Sequence, residues 1–143
     1  MIDGFWTISQ SMVSWLLENL PKDKVILELG SGHGTNTLVD HGWKVYSVEN
    51  DPEWLDRYHD NYIYAPLVEH KAVNKHEGDV WYSASILERE LSKIHYDLLL
   101  VDGPVGSRAG FVKYFKLFRH DIPMLFDDVH RDRDWETDRK SVV

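Results

Sequence analysis

Between Val25 and Asp51 two apolar runs flank a cluster of glycines, and no other stretch restricts the possible folds of this chain as strongly. Val25-Ile26-Leu27-Glu28-Leu29 leads into Gly30-Ser31-Gly32-His33-Gly34, and Val45-Tyr46-Ser47-Val48 ends in Glu49-Asn50-Asp51. The pattern reads as strand, glycine loop, short helix, strand and acid. Glycine permits a tight turn with positive φ and leaves amide N–H groups open, while the helix expected from Thr35 adds the positive end of its dipole. A nucleotide-like ligand belongs at such a bend, although an ordinary βαβ unit would also use glycines for packing.

The acids narrow the choice of ligand. A dinucleotide site calls for G-x-G-x-x-G with a pyrophosphate on the helix N-terminus, whereas the glycines here run G-x-G-x-G. Glu28 is expected to point a carboxylate at the mouth of the loop, which would repel a pyrophosphate and suit a cationic group. Glu49 follows Gly30 by about the twenty residues at which an acid accepts hydrogen bonds from ribose hydroxyls. Ribose, positive charge and no phosphate together describe S-adenosylmethionine.

The segment E-L-G-S-G-H-G-T, with the later strand ending in E-N-D, resembles the first two motifs of the class I S-adenosylmethionine-dependent methyltransferases. The resemblance spans Ser9 to about His130. It implies an α/β fold, a Rossmann-like doubly wound parallel sheet of about five strands. It also implies cofactor contacts from Glu28, Gly30, Ser31, Gly32, His33, Gly34, Thr35, Glu49, Asn50 and Asp102, with Ala65, and the segment Ala65-Pro66-Leu67 that it opens, near the adenine.

Composition sets outer limits. The 143 residues suit one domain, and the formal charge of −8 disfavours nucleic-acid binding, which draws on Lys and Arg for phosphate neutralisation. A small-molecule substrate is favoured instead. Without Cys there are no disulfides or thiolate metal sites, and no apolar run has the length of a membrane span. A cytoplasmic protein is therefore expected.

Along the chain, the Thr7 to Gln10 capping box and the apolar positions Ile8, Met12, Trp15, Leu16 and Leu20 predict a helix over about Ser9 to Leu20. Phe5 and Trp6 would cover the cofactor or pack on this helix, and packing is favoured. Thr35 to His41 reads as a brief helix closed by Gly42, and Asp51-Pro52-Glu53 opens another, with Asp51 as cap and Trp54, Leu55 and Tyr58 facing inward. Tyr62 to Tyr64 is a third strand. The polar stretch from His70 to Asp79 is expected to be a solvated loop or hairpin, and Trp81 and Tyr82 either cover the adenine or anchor that loop. A second capping box at Ser85 starts a helix running to about His95, and the apolar run ending at Asp102 is a strand covered on both faces. Phe111, Tyr114, Phe115 and Phe118 form an aromatic helical stripe, and Ile122 to Phe126 make the fifth strand. The charge run from Arg131 onward is expected to be a solvated helix or tail.

Four strands thus close on or contain an acid: Glu28, Glu49, Asp102 and Asp127. Ligands of open parallel sheets bind beyond the carboxyl ends of the strands, so these acids are expected to converge on one crevice. D-L-L-L-V-D and M-L-F-D-D-V are further similar to the two segments through which metal-dependent small-molecule O-methyltransferases hold magnesium. On that resemblance Asp102, Asp127 and Asp128 would ligate Mg2+, and the metal would activate a substrate hydroxyl. The pattern departs from the family in two places: Asp128 stands where the family has Asn, and Val105 where it has a basic Lys. Asp102 and His130 are then the expected catalytic residues, with Lys113 as another base. Asp102-Gly103-Pro104-Val105 also loosely resembles the motif with which amino-methyltransferases hold a nitrogen, which leaves N-methylation open. Too few residues follow Asp128 for the antiparallel hairpin that usually completes this sheet. The expectation is therefore a fragment, a form completed by a partner such as a homodimer, or a cofactor-binding module without chemistry.

Overall fold

The computed structural model describes residues 9–69, 80–104 and 108–126. Five parallel strands form its centre: β1 (Val25–Leu29), β2 (Lys44–Glu49), β3 (Tyr62–Tyr64), β6 (Leu98–Val101) and β7 (Met124–Phe126). Their order across the sheet is β3-β2-β1-β6-β7, so the chain winds outward from β1 in one direction and then in the other. The α/β Rossmann-like sheet expected from the sequence is present. Between β3 and β6 a separate antiparallel pair, β4 (Leu67–Glu69) and β5 (Val80–Tyr82), sets Leu67 opposite Tyr82.

Alternation along the strands builds two cores. Ile26, Val45, Leu98, Leu100 and Leu125 pack with Met12, Leu16 and Leu20 of the first helical segment, α1 (Gln10–Asn19), and with Leu38 of α2 (His33–Asp40). Leu27, Leu29, Val48, Leu99 and Val101 face the other way, onto Trp81, Tyr82, Phe111 and α3 (Ala84–Leu91). Strands buried on both faces need such uninterrupted apolar runs. Trp43 ties α1 to the sheet through its indole N–H, which donates to the carbonyls of Leu20 and Pro21 at 3.2 and 3.1 Å.

Several local readings shift. Ser9 rather than Thr7 caps α1, its Oγ accepting from Met12 N at 3.2 Å. Likewise Ser83, not Ser85, caps α3, which ends at Leu91 because Ser92 and the residues after it turn toward β6. Asp51 is a cap as expected, but of a single 3-10 turn over Pro52–Trp54, since Leu55 returns to extended backbone and Asp56 takes a positive φ of 58°. The aromatic stripe is not one helix: α4 (Arg108–Lys113) gives way at Tyr114 to a 3-10 turn, which buries Phe111 and Phe118 and leaves Phe115 outward against His120. Phe5, Trp6, the 70–79 stretch and the tail after Phe126 lie outside the described residues. Among those described, no helix is long and apolar enough to cross a membrane.

Candidate functional site

At the point where strand order reverses, the chain leaves β1 through Gly30 and β6 through Asp102-Gly103-Pro104. Gly30 has φ +92°, and a Cβ there would stand 3.1 Å from Gly103 N. Both conditions call for glycine, because a left-handed backbone is costly for other residues and the two exits touch. Asp102 N donates to Leu29 O at 3.0 Å and Gly30 N to Val48 O at 2.8 Å, so the exits are continuous with the sheet.

Beyond these exits opens a cleft of about 310 Å3 lined by Gly30, Ser31, Gly32, Glu49, Asn50, Asp51, Trp54, Leu67, Tyr82, Asp102, Gly103 and Pro104. Its ionisable lining is acidic: among the described residues Glu49, Asp51 and Asp102 face it and no Lys, Arg or His does. The crevice therefore holds the acids expected at the ends of β2 and β6. It also takes Gly30, Ser31, Gly32 and Asn50 from the expected cofactor set.

Glu49 is 5% exposed, yet both carboxylate oxygens are met. Oε1 accepts from Ser31 N at 2.7 Å, and Oε2 from Asn50 N at 3.0 Å and Asp51 N at 2.9 Å. Burial raises its pKa above the ordinary carboxylate value, and these backbone donors oppose the rise. A carboxylate oxygen has room for more than one donor, so Glu49 keeps acceptor capacity toward the cleft.

Glu28 has a different place. It shares a strand face with Ile26, and that face lies under α2. Its Oε2 accepts from the hydroxyls of Thr35 and of Ser47, the residue paired with it across β2. The side chain is buried and does not line the cleft, so the carboxylate expected at the mouth of the loop sits below it. Burial is the main cause that pushes its pKa up to about 7, against the pull of the Ser47 and Thr35 hydrogen bonds. A chain of donors converges on it. Asn61 N donates to His59 Nδ1 at 2.9 Å, which leaves the hydrogen of the neutral ring on Nε2, 2.8 Å from Ser47 Oγ. On the other side Tyr62 Oη, Ser31 Oγ and Thr35 Oγ1 follow one another at 2.8 and 3.0 Å.

Of the remaining expected cofactor residues, Gly34, Thr35 and Ala65 are buried and His33 is exposed, and none of them lines the cleft. Thr35 holds the bend, its Oγ1 accepting from Gly32 N at 3.1 Å. His33 supports Trp54 edge-on, with ring centroids 5.5 Å apart, while Arg57 covers Trp54 at 4.4 Å. Sequence reasoning did not assign Trp54 to the site, whereas Gly103 and Pro104 entered it through the loosely amino-methyltransferase-like segment Asp102-Gly103-Pro104-Val105 and Leu67 through the segment beginning at Ala65. Trp54 carried a signal, being an aromatic five residues beyond the β2 acid. Leu67 carried one too, standing just past the third strand beside Ala65, although its pairing with Tyr82 in β4–β5 was not foreseen.

Among the described residues no group of three His, Asp or Glu side chains is arranged to hold a metal ion. Of the expected magnesium ligands Asp102 lines the cleft, while Asp127, Asp128 and the expected base His130 lie outside the described residues. No family model, curated protein or solved structure matches the chain.

Proposed function

We propose that the cleft binds S-adenosylmethionine and that the protein transfers its methyl group to a hydroxyl of a small molecule. The observation that carries this reading is the Glu49 carboxylate, held by backbone amides beside the glycine bend in a cleft whose ionisable lining is acidic. That lining suits a ribose and a positive charge and opposes a pyrophosphate. Gly30 and Gly103 meet backbone to backbone beside Tyr82, and Trp54 is an aromatic residue in the lining for a base to meet. When bound, the sulfonium supplies an electrophilic methyl group. Glu49 accepts from the ribose hydroxyls, the glycine bend lets the ligand approach the backbone, and Asp102 orients the acceptor hydroxyl from the β6 exit.

Calorimetric titration with S-adenosylhomocysteine tests the binding half of this reading. Saturable heat is expected, and its absence would remove the proposal. Incubation with labelled S-adenosylmethionine and a panel of catechols, sugars and amines tests the chemical half, with label expected on hydroxyl oxygen. Label on the amines alone would favour nitrogen methylation.

A further inference from the structure

Tyr82 ends β5 and is 1% exposed, yet its hydroxyl has no hydrogen-bond partner among the described residues. Deep burial of an unpaired hydroxyl costs free energy, so such a group calls for an explanation. Trp81 Nε1, one residue earlier, is unpaired as well. It lies within the aromatic core, its ring stacked on Tyr114 at 5.2 Å and edge-on to Phe118, and it does not line the cleft. Tyr82 does line it.

The surroundings shape that hydroxyl for one task. A Cβ on Gly103 would stand 2.8 Å from it, so only the glycine lets the oxygen lie against the β6 exit, next to the Gly30 bend. Burial and the nearby carboxylates of Glu49, Asp102 and Glu28 hold its pKa well above the ordinary phenol value, so it keeps its proton. Tyr82 is thus a neutral donor in a cleft whose charged side chains only accept. An oxygen of a bound molecule that the acids would repel finds its donor there.

We propose that the Tyr82 hydroxyl is a ligand-binding group that donates its hydrogen bond to an oxygen of the nucleoside in the cleft, either on the ribose or on the amino-acid carboxylate. This inference rests on the proposed nucleoside site and adds a residue that orients the ligand within it. Replacing the hydroxyl in Tyr82→Phe removes the donor and keeps the ring. Wild type and variant are to be titrated with S-adenosylhomocysteine and with 5′-methylthioadenosine, which lacks the carboxylate. A loss of about tenfold in affinity is expected for S-adenosylhomocysteine. The same loss for both ligands would place the bond on the ribose, and a loss confined to S-adenosylhomocysteine would place it on the carboxylate. Equal affinities of wild type and variant for both ligands would overturn the role of Tyr82 alone, whereas a wild type that binds neither would overturn the nucleoside site and the role together. Thermal unfolding of the free proteins supplies a readout independent of ligand. The variant is expected to melt no lower than wild type, and a fall of several degrees would show that the hydroxyl has a protein partner, which also overturns the inference.

Discussion

Glu28 and Glu49 are both glutamates on central strands of one sheet, yet they occupy opposite kinds of site. Glu28 is sealed under α2 and met by side-chain hydroxyls, whereas Glu49 is met by backbone amides and opens on the cleft. Hydroxyls attached to α2 and β2 make Glu28 a tie between helix and sheet. Amides of the chain's own turns make Glu49 a preformed acceptor whose support does not depend on any other side chain. The contrast teaches that a strand-borne acid opens on a cleft or becomes a strut according to what covers it.

Three experiments break or sharpen that contrast. The largest effect is expected from Glu28→Ala, which leaves the Thr35 and Ser47 hydroxyls without their acceptor and opens a void. A loss of about 3 kcal/mol in unfolding free energy is expected from denaturant titration. A loss below about 1 kcal/mol would mean that Glu28 is no strut.

Glu49→Ala should act on the other quantity. Its amides face a cleft that water enters, so stability falls little, while affinity for S-adenosylhomocysteine drops by the worth of hydrogen bonds to a charged acceptor, about 1.5–3 kcal/mol. Calorimetry that finds unchanged affinity together with a large stability loss would make the two acids alike.

The smallest effect is in pH. Glu28 has a folded-state pKa of about 7 against an ordinary 4.5, so the folded protein binds its proton more tightly than the unfolded chain does. Its contribution is fully present below the ordinary value and is lost as pH rises toward 7. Between about pH 5 and 7 the wild type should lose about 2 kcal/mol relative to Glu28→Gln, which keeps the shape without the titration. Burial of Glu49 acts in the same sense, while the lowered pKa of His59 acts in the opposite one. The paired variant subtracts both, and parallel pH profiles of the two proteins would sink the assignment.

Much of this was legible in the chain. The glycine bend, the acids after β2 and β6, and the Asp51 cap could be read because each is a local signal: a backbone geometry, a strand end or a turn. Tyr82 could be noticed without being assigned. Its place depends on the register between β4 and β5, which the loop or hairpin expected over His70 to Asp79 left unset. Helix limits slipped at Ser9 and Ser83 because several hydroxyl residues in each stretch compete for the cap, and packing chooses among them.

By itself the sequence determined the alternation of apolar runs and helices, hence a doubly wound sheet, and placed a glycine bend at the end of its first strand. Only the tertiary structure decided which acids open on the cleft. A strand's period of two says that Glu28 lies on the face of Ile26, but not that α2 will cover that face. It says nothing of a tyrosine brought from a distant hairpin to the same cleft, because that contact is made through space and leaves no spacing in the chain.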